Sequence, residues 1–303
     1  MTRDDVNTEA IDPSCTELDS SPTGEMLAAM YRGQLAAVEA VRAALPALAR
    51  AADDAAQALA KEGRLVYAGA GTSGRIGVQD GAELVPTFNW PAERLLFLIA
   101  GGDAALTRSI EGAEDSEADA RRAVALARIG PHDVVIGVAA SGTTPYTVAA
   151  LRAAQRAGAV TIGVASNAGS PLLDSVAHPI LIETGSEAIA GSTRMKAGTA
   201  QKVVLNLFST ALMVKLGRVY RGMMVDMRAT NAKLTRRAAA IVCAVADCPP
   251  EAASCFVEEA KGDVKLAILL AHGLSPVNAA HLLDEHHGSL RAAIGALGAN
   301  RNA

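Results

Sequence analysis

Aromatic side chains are scarce in this chain of 303 residues, which holds one Trp, four Tyr and four Phe. With half of its residues hydrophobic, any core must be built from Ala, Val, Leu and Ile. A basic excess is also missing: 28 Lys and Arg face 32 Asp and Glu, a formal net charge of −4. That balance excludes a general nucleic-acid binder, which carries a basic stripe, and leaves any anionic ligand to local positive potential. No uninterrupted apolar run reaches the length of a membrane span, and the polar, acidic start MTRDDVNTEAIDPSCTELD lacks the basic and apolar parts of a secretory signal. The chain reads as cytoplasmic, with no membrane partner. Cysteine is sparse too. Cys15, Cys243, Cys248 and Cys255 form no C-x-x-C pair, which argues against a zinc site, and a structural disulfide is not expected.

What is present centres on Leu65 to Glu83, LVYAGAGTSGRIGVQDGAE. Val66 and Tyr67 favour a strand, Gly69 and Gly71 permit a tight turn, and Thr72 and Ser73 stand where a helix would begin. The unpaired N–H groups and positive end of such a helix attract an anion. Gly69, Gly71 and Gly74 also spell the dinucleotide fingerprint, but its acidic partner is missing. The next strand, Arg94 to Ile99, runs into Ala100-Gly101-Gly102 instead. A triphosphate-binding P-loop is ruled out as well, because no Lys follows the glycines. Clustered hydroxyls suit a compact phosphomonoester.

Taken in order, residues 1–24 read as an extended N-terminal arm, and Glu25 to Ala44 and Pro46 to Lys61 as two helices broken at Pro46. Ala104 to Arg128 reads as helical with a break near Gly112. Asp133 to Ala139 is a third strand, closed by Ser141-Gly142-Thr143-Thr144, with Pro145 at the first turn of the following helix. Ala159 to Ala165 and Pro179 to Ile182 complete the strands, and Gly191 to Gly217 reads as one long helix. This alternation predicts an α/β fold with a mostly parallel sheet covered on both faces, both hydroxyl loops lying at the carboxyl ends of strands. Residues 25–230 would form that domain. Residues 231–303 would form a small helical one, with caps at Asp263 and Ser275. Adjacent His286 and His287 point in different directions on a helix and lack ligand-spaced partners.

The stretches GAGTSGRIGVQDGAE, IAGG, EGAEDS, VAASGTTPY, GSTRMKAGTAQKVVLN and MVDMRATNAKL resemble the N-acetylmuramic acid 6-phosphate etherase family, from about residue 25 to residue 295. The family is related to the glucokinase regulatory protein and shares the sugar isomerase fold. The resemblance implies an α/β phosphosugar-binding sandwich and cleavage of a D-lactyl ether by elimination and water addition. It further implies no metal, no organic cofactor, a homodimer with its site near the subunit interface, and a role in recycling cell-wall amino sugars.

By that resemblance Glu83 and Glu114 are the catalytic pair. Glu83 would donate a proton to departing lactate and then activate water, and Glu114 would be the base at carbon 2, a division the residues themselves leave open. Gly71, Thr72, Ser73, Ser141, Thr143 and Thr144 are the expected substrate-binding positions in the two loops. Glu187 and Ser192 are added from the stretch that resembles the family signature, where Arg194 and Lys196 could face phosphate or carboxylate. Ser192 is equally well read as a helix cap. Ala82, Leu84, Val85 and Thr143 depart from the family pattern, which touches substrate positioning and leaves the reaction type standing. The alternatives are a phosphosugar-sensing regulator, which has no use for two carboxylates, and a sugar-phosphate isomerase, which releases no lactate.

Overall fold

The computed structural model describes residues 7–60, 62–229 and 231–301; the first six residues of the expected arm, Lys61 and Thr230 lie outside them. The described residues group into two compact units: one runs up to Ala82 and resumes over Ala92–Leu212, and the other joins Glu83–Pro91 to the chain from Met213 onward.

In the first unit the arm is not extended. It folds into single 3-10 turns at Asn7–Glu9 and Pro13–Cys15, the latter capped by Asp12, whose side chain accepts the Ser14 N–H. Helix α1 (Thr23–Ala40) and helix α2 (Leu45–Leu59) follow, separated by a 3-10 turn, with Pro46 tolerated in the first turn of α2. Strand β1 (Leu65–Gly69) runs directly into helix α3 (Gly71–Phe88), and β2 (Leu95–Ile99) comes next. The helical stretch expected over Ala104 to Arg128 breaks near Gly112 as the sequence suggests; its second part is α4 (Glu117–Leu126), and its first part is not an α-helix but two 3-10 turns. Gly112 adopts a left-handed φ of +68° that ends any helix arriving there, and the Ser116 hydroxyl caps the new one by accepting the Asp119 N–H. Strand β3 (Val134–Val138), helix α5 (Pro145–Arg156), β4 (Val160–Ala165) and β5 (His178–Leu181) complete the alternation.

These strands form one parallel sheet in the order β2-β1-β3-β4-β5, with Gly69 opposite Val138 at the carboxyl ends of β1 and β3. Strands β1 and β3 are buried along their whole length, as a parallel sheet covered on both faces requires. Val66, Ala68 and Val135 pack with Ala120 and Val124 of α4 and Ala150, Leu151 and Ala154 of α5. The chain leaves β1 toward β2 on one side and returns to β3 on the other. A crevice therefore opens where these two strands end, the place where open α/β sheets hold ligands.

Helix α6 (Lys196–Lys215) starts five residues later than the sequence pattern suggests, because Gly191 to Met195 form turns instead. A two-residue antiparallel pair, β6 (Val219–Tyr220) and β7 (Met223–Met224), was not anticipated. In the second unit α7 (Ala232–Ala246), α8 (Pro250–Glu259), α9 (Val264–Ala271), α10 (Pro276–Glu285) and α11 (Leu290–Arg301) enclose an aliphatic core around Val242, Val257 and Ile268. Asp263 and Ser275 cap α9 and α10 as expected. Among the described residues no single helix is long and apolar enough to cross a membrane.

Candidate active site

Both hydroxyl loops lie at the crevice. Helix α3 begins at Gly71, so Thr72 and Ser73 occupy its first turn, where backbone N–H groups lack partners within the helix. Thr144 is the residue before Pro145 at the start of α5, and its side chain makes no capping bond. Ser141 Oγ accepts hydrogen bonds from the Thr143 N–H at 3.2 Å and from Thr143 Oγ1 at 3.0 Å. Gly142 is obligatory between them. Its φ is +72°, and a Cβ there would sit 2.2 Å from Ser170 Oγ.

Two adjoining hollows open here. The first, about 340 Å³, is bounded by Gly71, Arg75, Arg108, Glu111 and Glu114. The second, about 320 Å³, is bounded by Thr72, Ser73, Ser141, Thr143, Thr144 and again Glu114. Each lies at the lower end of the ~300–1,000 Å³ range of small-molecule sites. Glu114 stands in the 3-10 turn Ala113–Asp115 and belongs to both. Asp115, Thr193 and Glu9 also line the second hollow. This hollow thus brings hydroxyls and a helix N-terminus together with the carboxylates of Glu9, Glu114 and Asp115. Arg75 fixes the rim of the first, Nε donating to the Ala105 carbonyl at 3.0 Å and Nη2 to that of Arg108 at 3.1 Å.

The remaining expected residues lie elsewhere. Glu187 is fully buried, and its carboxylate accepts the backbone N–H of Lys196 at 2.8 Å and of Ala197 at 2.9 Å. The α6 cap is therefore Glu187 and not Ser192, whose own N–H donates to the Ile189 carbonyl. Neither Glu187 nor Ser192 lines the two hollows. Lys196 Nζ donates to the Ser186 carbonyl at 2.8 Å, and Arg194 is exposed. Glu83 is exposed in α3, belongs to the second unit and is absent from both linings.

One turn before Glu83 in α3, Asp80 is buried and accepts hydrogen bonds from the Tyr67 hydroxyl at 2.7 Å, Asn206 Nδ2 at 2.6 Å and Ser209 Oγ at 3.2 Å. Burial raises its pKa above the ordinary aspartate value, with the three donors and nearby Lys202 opposing. The network ties α3 to β1 and α6, holding the helix whose first turn forms the crevice. Among the described residues no group of three or more His, Cys, Asp and Glu side chains is placed to hold a metal ion.

Residues 47–155 match the glucokinase regulatory protein N-terminal SIS domain, and residues 113–211 match the SIS domain. An N-acetylmuramic acid 6-phosphate etherase of Deinococcus radiodurans is 50 % identical over 293 residues, 96 % of each chain. One from Rubrobacter xylanophilus is 45 % identical over 289 residues, 95 % of each chain. The chain belongs to the N-acetylmuramic acid 6-phosphate etherase family. A further etherase, from Streptomyces avermitilis, is 46 % identical over 96 % of this chain and 94 % of its own. Among solved structures, a phosphoheptose isomerase from Francisella tularensis aligns with a TM-score of 0.49 at 18 % identity, over 64 % of this chain and 100 % of that one.

Against the etherase resemblance drawn from sequence, the structure adds Glu9, Arg75, Asp115 and Thr193 to the hollows. Arg75 carried a legible signal, a cation one turn into a helix that follows a glycine loop. Glu9 carried none, because it reaches the hollow from a segment more than 60 residues before Thr72.

Proposed function

We infer that this chain hydrolyses the D-lactyl ether of N-acetylmuramic acid 6-phosphate, giving N-acetylglucosamine 6-phosphate and D-lactate in the cytoplasm. The observation that carries the reading is the second hollow, whose lining joins hydroxyls to carboxylates, together with relatives of that name at 44–50 % identity over almost the whole chain. The hydroxyls of Thr72, Ser73, Ser141, Thr143 and Thr144, with the first-turn amides of α3, receive the phosphate. Glu114, in the same lining, is then the carboxylate that meets the sugar.

In the open-chain sugar the aldehyde acidifies the hydrogen on carbon 2. Glu114 takes that proton, and the electron pair of the broken C–H bond ends as a double bond between carbons 2 and 3 as the C3–O bond breaks. Glu83 gives its proton to the departing lactate oxygen. Water then adds at carbon 3 with Glu83 taking its proton, and Glu114 returns a proton to carbon 2. The sum is one ether and one water converted to an alcohol and lactate, with neither carboxyl changed. Glu187 serves the site indirectly by holding the start of α6 and the turn carrying Thr193.

The active form is a homodimer. With Glu83 absent from the lining of either hollow, each hollow is completed by Glu83 of the partner subunit. The test is lactate release from the phosphorylated substrate in heavy water. The expected result is lactate together with deuterium at carbon 2 of the product, both abolished in Glu114→Ala and Glu83→Ala. Wild-type turnover in both variants would refute the assignment. Aldose–ketose conversion without lactate would instead make the protein an isomerase.

A further inference from the structure

The N-terminal segment reaches the second hollow by two anchors. Thr8 is fully buried; its carbonyl accepts the Gly191 N–H at 3.1 Å, and its Oγ1 accepts from Asn167 Nδ2 at 3.3 Å. The same Asn167 amide donates to the carbonyls of Ala140 at 3.1 Å and Ser141 at 3.3 Å, inside the second hydroxyl loop. The segment is therefore fastened both to the loop that follows β3 and to the turn that precedes α6. The next residue, Glu9, lines the hollow together with Thr72, Ser73, Ser141 and Glu114.

Gly191 makes room for that carboxylate. A Cβ added there would lie 2.8 Å from Glu9 Oε2, and the φ of +74° already disfavours other residues. An ionised carboxylate only accepts hydrogen bonds, and beside a phosphate it is repelled. Glu9 is thus unsuited to the anionic end of the ligand and suited to its hydroxyl and amide donors.

We propose that Glu9 is a substrate-binding residue, accepting a hydrogen bond from a hydroxyl or amide N–H of the sugar and so selecting an amino-sugar phosphate over a bare anion. This rests on the reading of the hollow as a phosphosugar site. The arm then forms one wall of that site. Docking of the arm uses backbone and Thr8 contacts, so a change at Glu9 leaves it in place.

The test is calorimetric binding of N-acetylglucosamine 6-phosphate and, separately, of inorganic phosphate to full-length wild type, Glu9→Gln, Glu9→Ala and Gly191→Ala. In Glu9→Ala the sugar phosphate binds about tenfold more weakly, and in Glu9→Gln, which keeps one acceptor oxygen, the loss is smaller, while inorganic phosphate binds to both as in wild type or more tightly, because a negative charge has been removed. Gly191→Ala reproduces the loss for the sugar phosphate by displacing the carboxylate. Unchanged sugar-phosphate affinity in both Glu9 variants overturns the proposal, and so does an equal loss for both ligands, which marks a merely structural role. A wild type that binds both ligands but releases no lactate sinks the etherase reading alone. One that binds neither sinks both.

Discussion

Glu187 and Lys196 are joined across a turn of nine residues by a hydrogen bond from the Lys196 backbone N–H to Glu187 Oε2 at 2.8 Å, with Ala197 donating to Oε1 at 2.9 Å. The carboxylate satisfies two of the orphan donors of α6 at a point shut off from water, and its charge opposes the positive end of the helix. Glu187→Ala leaves those amides buried without acceptors, so a loss of about 2–4 kcal/mol is expected, read as a lower urea midpoint. Glu187→Gln retains one acceptor and loses less. Because Glu187 lines neither hollow, the surviving folded Glu187→Gln enzyme should keep a near-normal KM.

The hydroxyl loops predict a different phenotype. On the proposed phosphate site, Thr72→Val and Ser141→Ala each remove one donor while leaving the first-turn amides of α3 in place. Each should raise KM for the phosphorylated substrate about tenfold with kcat within about threefold, the pattern of lost uniform binding. Thr143 Oγ1 donates to Ser141 Oγ, so the effects of Ser141→Ala and Thr143→Val should not add. Steady-state kinetics of the two single variants and the double variant check this.

Mixing of inactive subunits tests how the carboxylates meet. On the proposal that each site takes Glu114 from one subunit and Glu83 from the other, a Glu83→Ala/Glu114→Ala heterodimer has one site lacking both groups and one site intact. Equal amounts of the two variants, denatured and refolded together, should recover about a quarter of wild-type lactate release. No recovery, with mixed dimers shown to form, would place both groups of a working site in one chain.

The pH dependence of stability has one clear source. Asp133 is buried and receives the backbone N–H and Nε of Arg64 on Oδ1, and Arg64 Nη2 at 2.7 Å with the Gly130 N–H on Oδ2. Burial pushes its pKa upward, but these hydrogen bonds and the guanidinium charge outweigh it and hold the folded-state pKa below the ordinary 3.8. A depressed carboxyl stabilises the fold above the unfolded value, and that contribution is lost as pH falls through the folded one. Urea midpoints should therefore drop steeply below about pH 4 in wild type and less steeply in Asp133→Asn. That variant should also lose about 1–3 kcal/mol at neutral pH, because the Arg64 guanidinium loses its carboxylate and keeps the carbonyls of Ala127 and Arg128.

Much of this protein was decided locally and could be read from the chain. The aliphatic runs Leu65–Gly69 and Val134–Val138, each ending in glycine and hydroxyls, sit where the pattern put them, and Pro145, Asp263 and Ser275 mark their helices. These features act within a few residues through dihedral preference and capping, so the sequence of a single segment is enough. The family too was legible, since long ordered motifs survive in one chain. The break near Gly112 was legible as well, but where α6 starts was not: it begins later than its periodicity implies, because Gly191 adopts a left-handed conformation that hydropathy does not encode. What only tertiary structure decided is who shares the crevice. Glu9, Glu114 and Ser141 line one hollow although long stretches of chain separate them, and Glu187 turns inward to a helix end instead of toward it. Sheet order and the docking of Thr8 against Gly191 bring those groups together, and such contacts between distant segments depend on packing, which no local pattern specifies.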